Sequence, residues 1–142
     1  MGMITRDNGT QEWWVNDRLH RLDGPAVIHA DGTQMWCADG QRHRLDGAAV
    51  IHADGTQEWW VDDLRHRLDG PAVIWPNGAR QWWVNGRLHR LDGAAVIQAD
   101  GYQSWWVDGR RITQQVTAWM QQRNVTWPWD QETQMEFMLT WA

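Results

Sequence analysis

Four His-Arg-Leu-Asp runs are the part of this sequence whose residue types and spacing could do chemistry. They lie at 20–23, 43–46, 66–69 and 89–92, so each run follows the previous one by 23 residues. Each run offers an imidazole, a guanidinium that binds anions bidentately and a carboxylate. If equivalent positions lie two strands apart in a sheet, neighbouring histidines are ~10 Å apart. That distance is too long for shared metal ligation or a shared catalytic centre.

Two interpretations of these runs remain open. In the first, Asp23 and its copies accept hydrogen bonds within their loops and hold His20, Arg21 or backbone donors. In the second, the row of cations along one sheet edge binds an anionic ligand or a protein partner, although the neighbouring aspartates cancel part of its field. The residues predicted for this anion or partner binding are Arg21, Arg44, Arg67, Arg90, His43 and His66.

Nucleophilic catalysis has little support in the sequence. Ser104 is the only serine and follows no glycine elbow, and Cys37 is the only cysteine. Every glycine lies at a turn of the repeat described below, so no phosphate-binding glycine motif is present. We therefore expect no catalytic residues, no cofactor and no metal site, and we rank an enzyme last among three possible functions.

Composition limits the remaining function classes. The chain has 142 residues, 14 tryptophans, no lysine and a net charge of −5, which argues against binding a long nucleic acid. No apolar run approaches the ~20 residues of a membrane helix, and no apolar stretch of a signal peptide opens the chain. A lone cysteine offers no internal disulfide. We expect a cytoplasmic protein without a membrane span.

A 23-residue period organises most of the chain. It aligns glycines at 9, 32, 55, 78 and 101 and tryptophans at 13, 36, 59, 82 and 105. In each copy, β-formers such as those at 10–15 and 26–29 predict two antiparallel strands. The Asp-Gly or Asn-Gly that follows predicts a hairpin into the next copy, whereas 16–24 is predicted to be a longer connection. The sequence therefore predicts a mainly β, antiparallel meander over residues 1–111.

The copy that reads Trp82-Trp83-Val84-Asn85-Gly86-Arg87-Leu88-His89-Arg90-Leu91-Asp92-Gly93 resembles the variant form of the MORN repeat. The resemblance covers about residues 3–112. It implies an elongated, twisted antiparallel sheet that serves as a protein-binding scaffold, a dimerisation element or a phospholipid-binding platform. Repeats of this kind with a similar tail are encountered in bacteria and their viruses. The resemblance thus also suggests a viral anti-defence protein that sequesters a host signalling nucleotide.

Residues 112–142 depart from the repeat and are predicted to cap the array. Helical spacing of apolar residues predicts a helix over 113–123, with Thr113 as N-cap. Asp130 is predicted to cap a second helix, although apolar residues alternate over 135–141 as in a strand. At the other end, residues 3–7 fit a partial strand whose open edge makes a homodimer possible.

The two faces of the sheet are predicted to differ. Trp13 and Val15 repeat almost unchanged, so their face should be core, whereas the face of Trp14 varies between copies. Cys37 interrupts that row of tryptophans, so a ring-sized gap is predicted between Trp14 and Trp60, able to stack a planar, nucleotide-like anion. In the plainer interpretation, Cys37 relieves crowding or a tail tryptophan fills the gap. The predicted ligand-binding residues are Arg6, Trp14, His29, Met35, Cys37, His52, Trp60 and Trp75.

The sequence leaves three possible functions, which we rank by how well the residues support them. A non-catalytic interaction scaffold comes first, because a flat surface rich in Trp and Arg and poor in Lys matches protein interfaces. A small-ligand binder comes second, and an enzyme third.

Overall fold

The computed structural model describes residues 2–142 and is mainly β, with 19 strands in an antiparallel meander and two C-terminal helices. This architecture confirms the fold predicted from the sequence. The strands are β1 Gly2–Thr5, β2 Gln11–Val15, β3 Arg18–Leu19, β4 Val27–Ile28, β5 Gln34–Met35, β6 Cys37–Ala38, β7 Gln41–Arg42, β8 Val50–Ile51, β9 Gln57–Glu58, β10 Trp60–Val61, β11 Leu64–Arg65, β12 Val73–Ile74, β13 Arg80–Gln81, β14 Trp83–Val84, β15 Arg87–Leu88, β16 Val96–Ile97, β17 Gln103–Ser104, β18 Trp106–Val107 and β19 Arg110–Arg111.

Pairing follows the 23-residue period. Within residues 2–142 the main sheet runs in the order β1-β2-β4-β5-β8-β9-β12-β13-β16-β17, with β3 paired to β2. The remaining strands form two-stranded hairpins, β6-β7, β10-β11, β14-β15 and β18-β19. The predicted N-terminal strand is present as β1, which pairs with β2 from Gly2 opposite Trp14 to Thr5 opposite Gln11.

Each of the first four repeats has a short strand in addition to the two predicted, such as β3 within residues 16–24, so the prediction of a long connection there was wrong. Asn16 and Asp17 both adopt positive φ, at 51° and 62°, and reverse the chain in two residues. Asp39 and Gly40 do the same at 51° and 80°. These are the dihedrals of a type I′ turn, whose twist matches that of the flanking strands. A short third strand therefore follows each turn.

A tryptophan divides the first strand of each later repeat. Trp36 donates its backbone N–H to Ala49 at 2.7 Å, and its carbonyl accepts from His43 at 3.0 Å. Residues before Trp36 pair within the main sheet, and residues after it pair with β7. Successive hairpins are joined by further backbone bonds, such as Gly40 N–H to Leu19 O at 2.9 Å. The backbone thus fixes the spacing of equivalent side chains from repeat to repeat.

The core of the array is thin and built from small residues. Ala26, Ala49 and Ala72 are fully buried, and Val73 is nearly so. The prediction that the Trp13 face is core holds only in the fifth repeat, where Trp105 and Val107 are buried; Trp13 and its next three copies are half-buried. In those copies the indole is covered by an arginine side chain, and Trp82 also packs against the aromatic cluster at the end of the array.

The helices are α1 Thr113–Arg123 and α2 Gln131–Trp141, as predicted. Asp130 caps α2 by accepting the Thr133 N–H at 2.8 Å, which confirms the helix over the alternative strand. Thr113 is not the N-cap of α1, because its hydroxyl instead accepts the Trp105 N–H at 3.0 Å. Ile112 occupies the cap position without a side-chain bond. Neither helix within residues 2–142 has the length and apolar character to cross a membrane.

The two helices cover the end of the array with an aromatic cluster. Phe137 is fully buried, with its ring centroid 4.9 Å from those of Trp129 and Trp141. Trp129 stacks on Trp105 at 6.4 Å and 24°. Burial of a side chain the size of Phe137 contributes roughly 1.5–3 kcal/mol. The cap therefore seals the fifth repeat with apolar contacts.

Candidate functional site

Each arginine of the predicted row makes the same set of contacts within its own repeat, and this set occurs in four repeats. In the second repeat the Arg44 Cζ lies 3.9 Å from the centroid of the Trp36 ring. Its Nε donates to Asp46 Oδ1 at 3.0 Å, and its Nη1 donates to the Ala48 carbonyl at 3.0 Å. The same contacts recur for Arg21, Arg67 and Arg90 on Trp13, Trp59 and Trp82.

Glycine completes each unit. A Cβ built on Gly47 would lie 3.0 Å from the Arg44 Cζ, and one on Gly24 would lie 2.9 Å from the Arg21 Cζ. The guanidinium is therefore held between an indole and a bare backbone, where its planar fork makes contacts that the single point charge of an ammonium cannot make together. Hydrogen bonding from Arg67 holds the pKa of Asp69 below its usual value. These arginines thus bind their own repeat.

The predicted histidines join neighbouring repeats. His43 Nδ1 accepts the backbone N–H of Asp62 at 3.2 Å, and His66 Nδ1 accepts that of Asn85 at 3.1 Å. Each histidine therefore supports the type I′ turn of the next hairpin.

In the first three His-Arg-Leu-Asp runs, the leucine side chain is exposed instead of packing within the protein. Leu22, Leu45 and Leu68 are 86%, 81% and 80% exposed. Leu91, at the same position of the fourth repeat, packs instead against the cap cluster. Sequence reasoning missed these leucines. The available signal was an apolar residue repeated in a loop, outside any strand that could bury it.

A continuous row of grooves runs along these loops. The largest, about 710 Å³, lies between residues 44–47 and 66–69, with Trp59 and Val61 among its lining. Residues 44–46 also line the preceding groove of about 480 Å³, and residues 67–69 the following groove of about 560 Å³. A fourth groove, about 480 Å³, lies between Gly2-Met3 and the first loop. The predicted partner-binding residues Arg44, His66 and Arg67 share the largest groove.

The predicted ligand-binding residues fall into separate places, and two of them line loop grooves: Trp14 lines the groove beside Gly2-Met3, and Cys37 lines the groove between the first two loops. Cys37 is 2% exposed, and burial raises the pKa of its thiol to about 11. Arg42, paired with Cys37 across the hairpin, places its Cζ 3.6 Å from the centroid of the Trp60 ring. Its Nε donates to Asp63 at 2.7 Å. A side chain of the protein itself thus occupies the side of Trp60 that a stacked ligand would need.

Four of the predicted residues make separate contacts within the first two repeats. Arg6 and Trp14 both donate to Glu12 Oε1, at 2.8 and 3.1 Å. Met35 lies in the sheet between Val27 and Val50. The backbone of His29 closes the turn before β5, donating its N–H to Thr33 at 2.9 Å.

His52 and Trp75 line one recess of about 280 Å³. In it, His52 Nε2 lies 2.6 Å from Glu58 Oε2, and Arg65 Nη2 lies 3.1 Å from Glu58 Oε1. Burial raises the pKa of Glu58, but the hydrogen bonds from His52 and Arg65 outweigh it and leave that pKa lowered. The Arg65 Nε is buried without a partner among the described residues. Sequence reasoning had not included Glu58 or Arg65.

Taken together, these features define a tandem β-hairpin repeat protein whose repeats are each locked by a tryptophan, an arginine and a glycine. No group of three or more His, Cys, Asp or Glu side chains within residues 2–142 could hold a metal ion. No protein-family model matches the chain, and no curated protein is significantly similar to it. The meander is compatible with MORN-like repeats.

Proposed function

We propose that this chain is a non-catalytic interaction scaffold, and that its row of loop grooves binds a protein partner. One observation carries the proposal: the leucine at one loop position is exposed in three repeats and covered by the chain's own cap in the fourth. Complete burial of a leucine side chain contributes roughly 1.5–3 kcal/mol. Three leucines in a row therefore offer a partner substantial apolar contact.

The surroundings of the leucines also favour a protein partner. Each groove has tryptophan and arginine on its walls, and these residues dominate the energetics of protein interfaces. The aspartates of the loops, such as Asp46 at 88% exposure, provide a hydrated polar rim. Protein–protein interfaces commonly combine an apolar centre with such a polar rim. A cytoplasmic location is part of the proposal and agrees with a chain that has one buried cysteine.

The test uses a triple variant, Leu22→Asn with Leu45→Asn and Leu68→Asn. Leu139→Asn is the matched control, because Leu139 is an 83% exposed leucine of α2 that lines none of the grooves. We expect a protein captured in stoichiometric amount by wild type and control to be lost by the triple variant, and the purified pair to show the same difference. Circular dichroism checks that all three chains are folded. Equal capture by the triple variant and the control would contradict the proposal.

A second candidate function is binding of a small, planar, nucleotide-like anion in the recess of His52 and Trp75. The observation in its favour is that two predicted ligand-binding residues share this recess with an arginine whose Nε has no partner among the described residues. Native mass spectrometry of protein purified from cells tests it. A co-purifying species that His52→Ala removes would support ligand binding, and a bare chain would count against it. The same spectrum reports whether the chain forms a homodimer.

A further inference from the structure

The cap covers the fourth loop with a tryptophan that the first three loops lack. Trp127 donates its indole N–H to the Asp92 carbonyl at 3.3 Å, and its ring centroid lies 5.7 Å from the Arg90 Cζ. A Cβ on Gly93 would meet the Trp127 Nε1 at 2.8 Å, so the indole lies directly against that glycine. Met138 of α2 lines the groove between the third and fourth loops.

The effect of this cover is visible in the exposure of the loop. Arg90 is 13% exposed and Asp92 is 63% exposed. The corresponding pair Arg67 and Asp69 is 22% and 87% exposed, and the first two repeats are nearly identical to the third. Within residues 2–142, the main-chain carbonyls of Asp23, Asp46 and Asp69 accept no hydrogen bond. Three loops therefore have the same groups as the fourth and lack its cover.

We propose that loops 21–24, 44–47 and 67–70 are docking sites for a protein segment with the chemistry of the cap, namely a tryptophan beside a proline followed by a helix that presents methionine. This inference rests on the proposed scaffold function and names the partner's binding segment. The interface between Trp127 and the fourth loop would be repeated on loops with the same residues in the same geometry.

Tryptophan suits this site better than other aromatic residues. Its indole N–H donates to a main-chain carbonyl while the ring covers both a glycine and the edge of a guanidinium. Phenylalanine lacks the donor and would leave the carbonyl of Asp46 or Asp69 buried and unpaired, which carries a penalty. The segment's methionine would then fill the groove beside the exposed leucine, as Met138 does near Leu91.

The experiment titrates a peptide of residues 124–142 of this chain into the full-length, isotope-labelled protein and follows backbone amides by NMR. We expect saturable shifts at Gly24, Gly47 and Gly70. A peptide with Trp127→Ala should bind about tenfold more weakly or worse, because buried tryptophan anchors dominate such contacts. The protein variant Gly47→Ala places a methyl group against the Arg44 guanidinium and, by analogy with Gly93, against the indole, so it should lose the shifts of the second loop alone. The other two loops then serve as internal controls for folding.

Other outcomes separate this inference from the proposed function. No shifts at millimolar peptide would overturn the inference, as would shifts confined to residues 90–93, which indicate exchange with the chain's own cap. If the peptide fails to bind while the triple leucine variant still loses its protein partner, the scaffold function stands and the segment chemistry is wrong. If the peptide binds but the triple variant retains every partner, the docking chemistry stands and the scaffold proposal fails.

Discussion

Arg67 offers the clearest test of the unit that locks each repeat. Its guanidinium stacks on Trp59, donates to the Pro71 carbonyl and pairs with Asp69. Arg67→Ala removes all three contacts in the middle of the array, where neither the cap nor β1 compensates. Arg67→Lys keeps the charge but loses the planar fork that makes the contacts together.

The size of the effect follows from the geometry. A cation over an indole at 3.9 Å contributes ~0.5–2 kcal/mol. A hydrogen bond from a charged donor to a carbonyl contributes ~1.5–3 kcal/mol. The pair with Asp69, which is 87% exposed, adds little because solvent screens it. Because these contacts share one side chain they do not add, so we expect Arg67→Ala to lower the free energy of unfolding by about 2–4 kcal/mol.

Urea unfolding followed by both circular dichroism and tryptophan fluorescence measures this loss. The two signals are needed because repeat arrays can unfold in parts. Arg87→Ala is the control, since Arg87 is exposed and makes no side-chain hydrogen bond or ion pair among the described residues; its effect should stay within ~0.5 kcal/mol. We expect Arg67→Lys to fall between the two. If Arg67→Ala were no more destabilising than Arg87→Ala, the stacked arginine would not be a structural element.

Three further predictions follow from the same contacts. Gly93→Ala should lower the urea midpoint more than Gly47→Ala, because its Cβ would meet both Arg90 and Trp127 at 2.8 Å; equal midpoints would contradict this packing. Cys37 should react with iodoacetamide only after unfolding, as mass spectrometry can show, and stability should fall between pH 9 and about 11, where only the unfolded thiol ionises. The lowered pKa of Glu58 means that its stabilising effect is lost as pH falls through that pKa, so Glu58→Gln should give a flatter acid limb of the stability profile.

Most of the fold could be predicted because its signals are local. The period, the Asp-Gly turns and the apolar spacing of α1 lie within a few residues of the structure they specify. The third strand of each repeat could not be read from β-propensity, because segments such as Arg18–Leu19 and Gln41–Arg42 have only two residues. Their pairing comes from the type I′ turn before them, so Asp39-Gly40 was the better signal.

The site was harder to predict because it depends on contacts between distant positions. The sequence identified Arg44 and His43 as candidate binding residues. It did not reveal that Arg44 stacks on Trp36 or that His43 bonds to the next hairpin. These contacts depend on the strand register that the type I′ turn sets, which the sequence pattern did not reveal. The prediction of a ring-sized gap at Cys37 did not take Arg42 into account. Arg42 lies on β7, a strand that the sequence did not predict, and it pairs with Cys37 across the hairpin. Exposure of the leucines depends in turn on where the cap ends.

The leucines also differ from other exposed positions of the array. The first residue after each type I′ turn is exposed and changes between copies, from Arg18 to Gln41 to Leu64 to Arg87. This exposed position of the duplicated unit has therefore varied between copies. The loop leucine is the same in all four copies, although only the fourth is covered by the cap. At 80–86% exposure, Leu22, Leu45 and Leu68 contribute little to folding, so their uniformity favours the proposed partner binding over a role in stability.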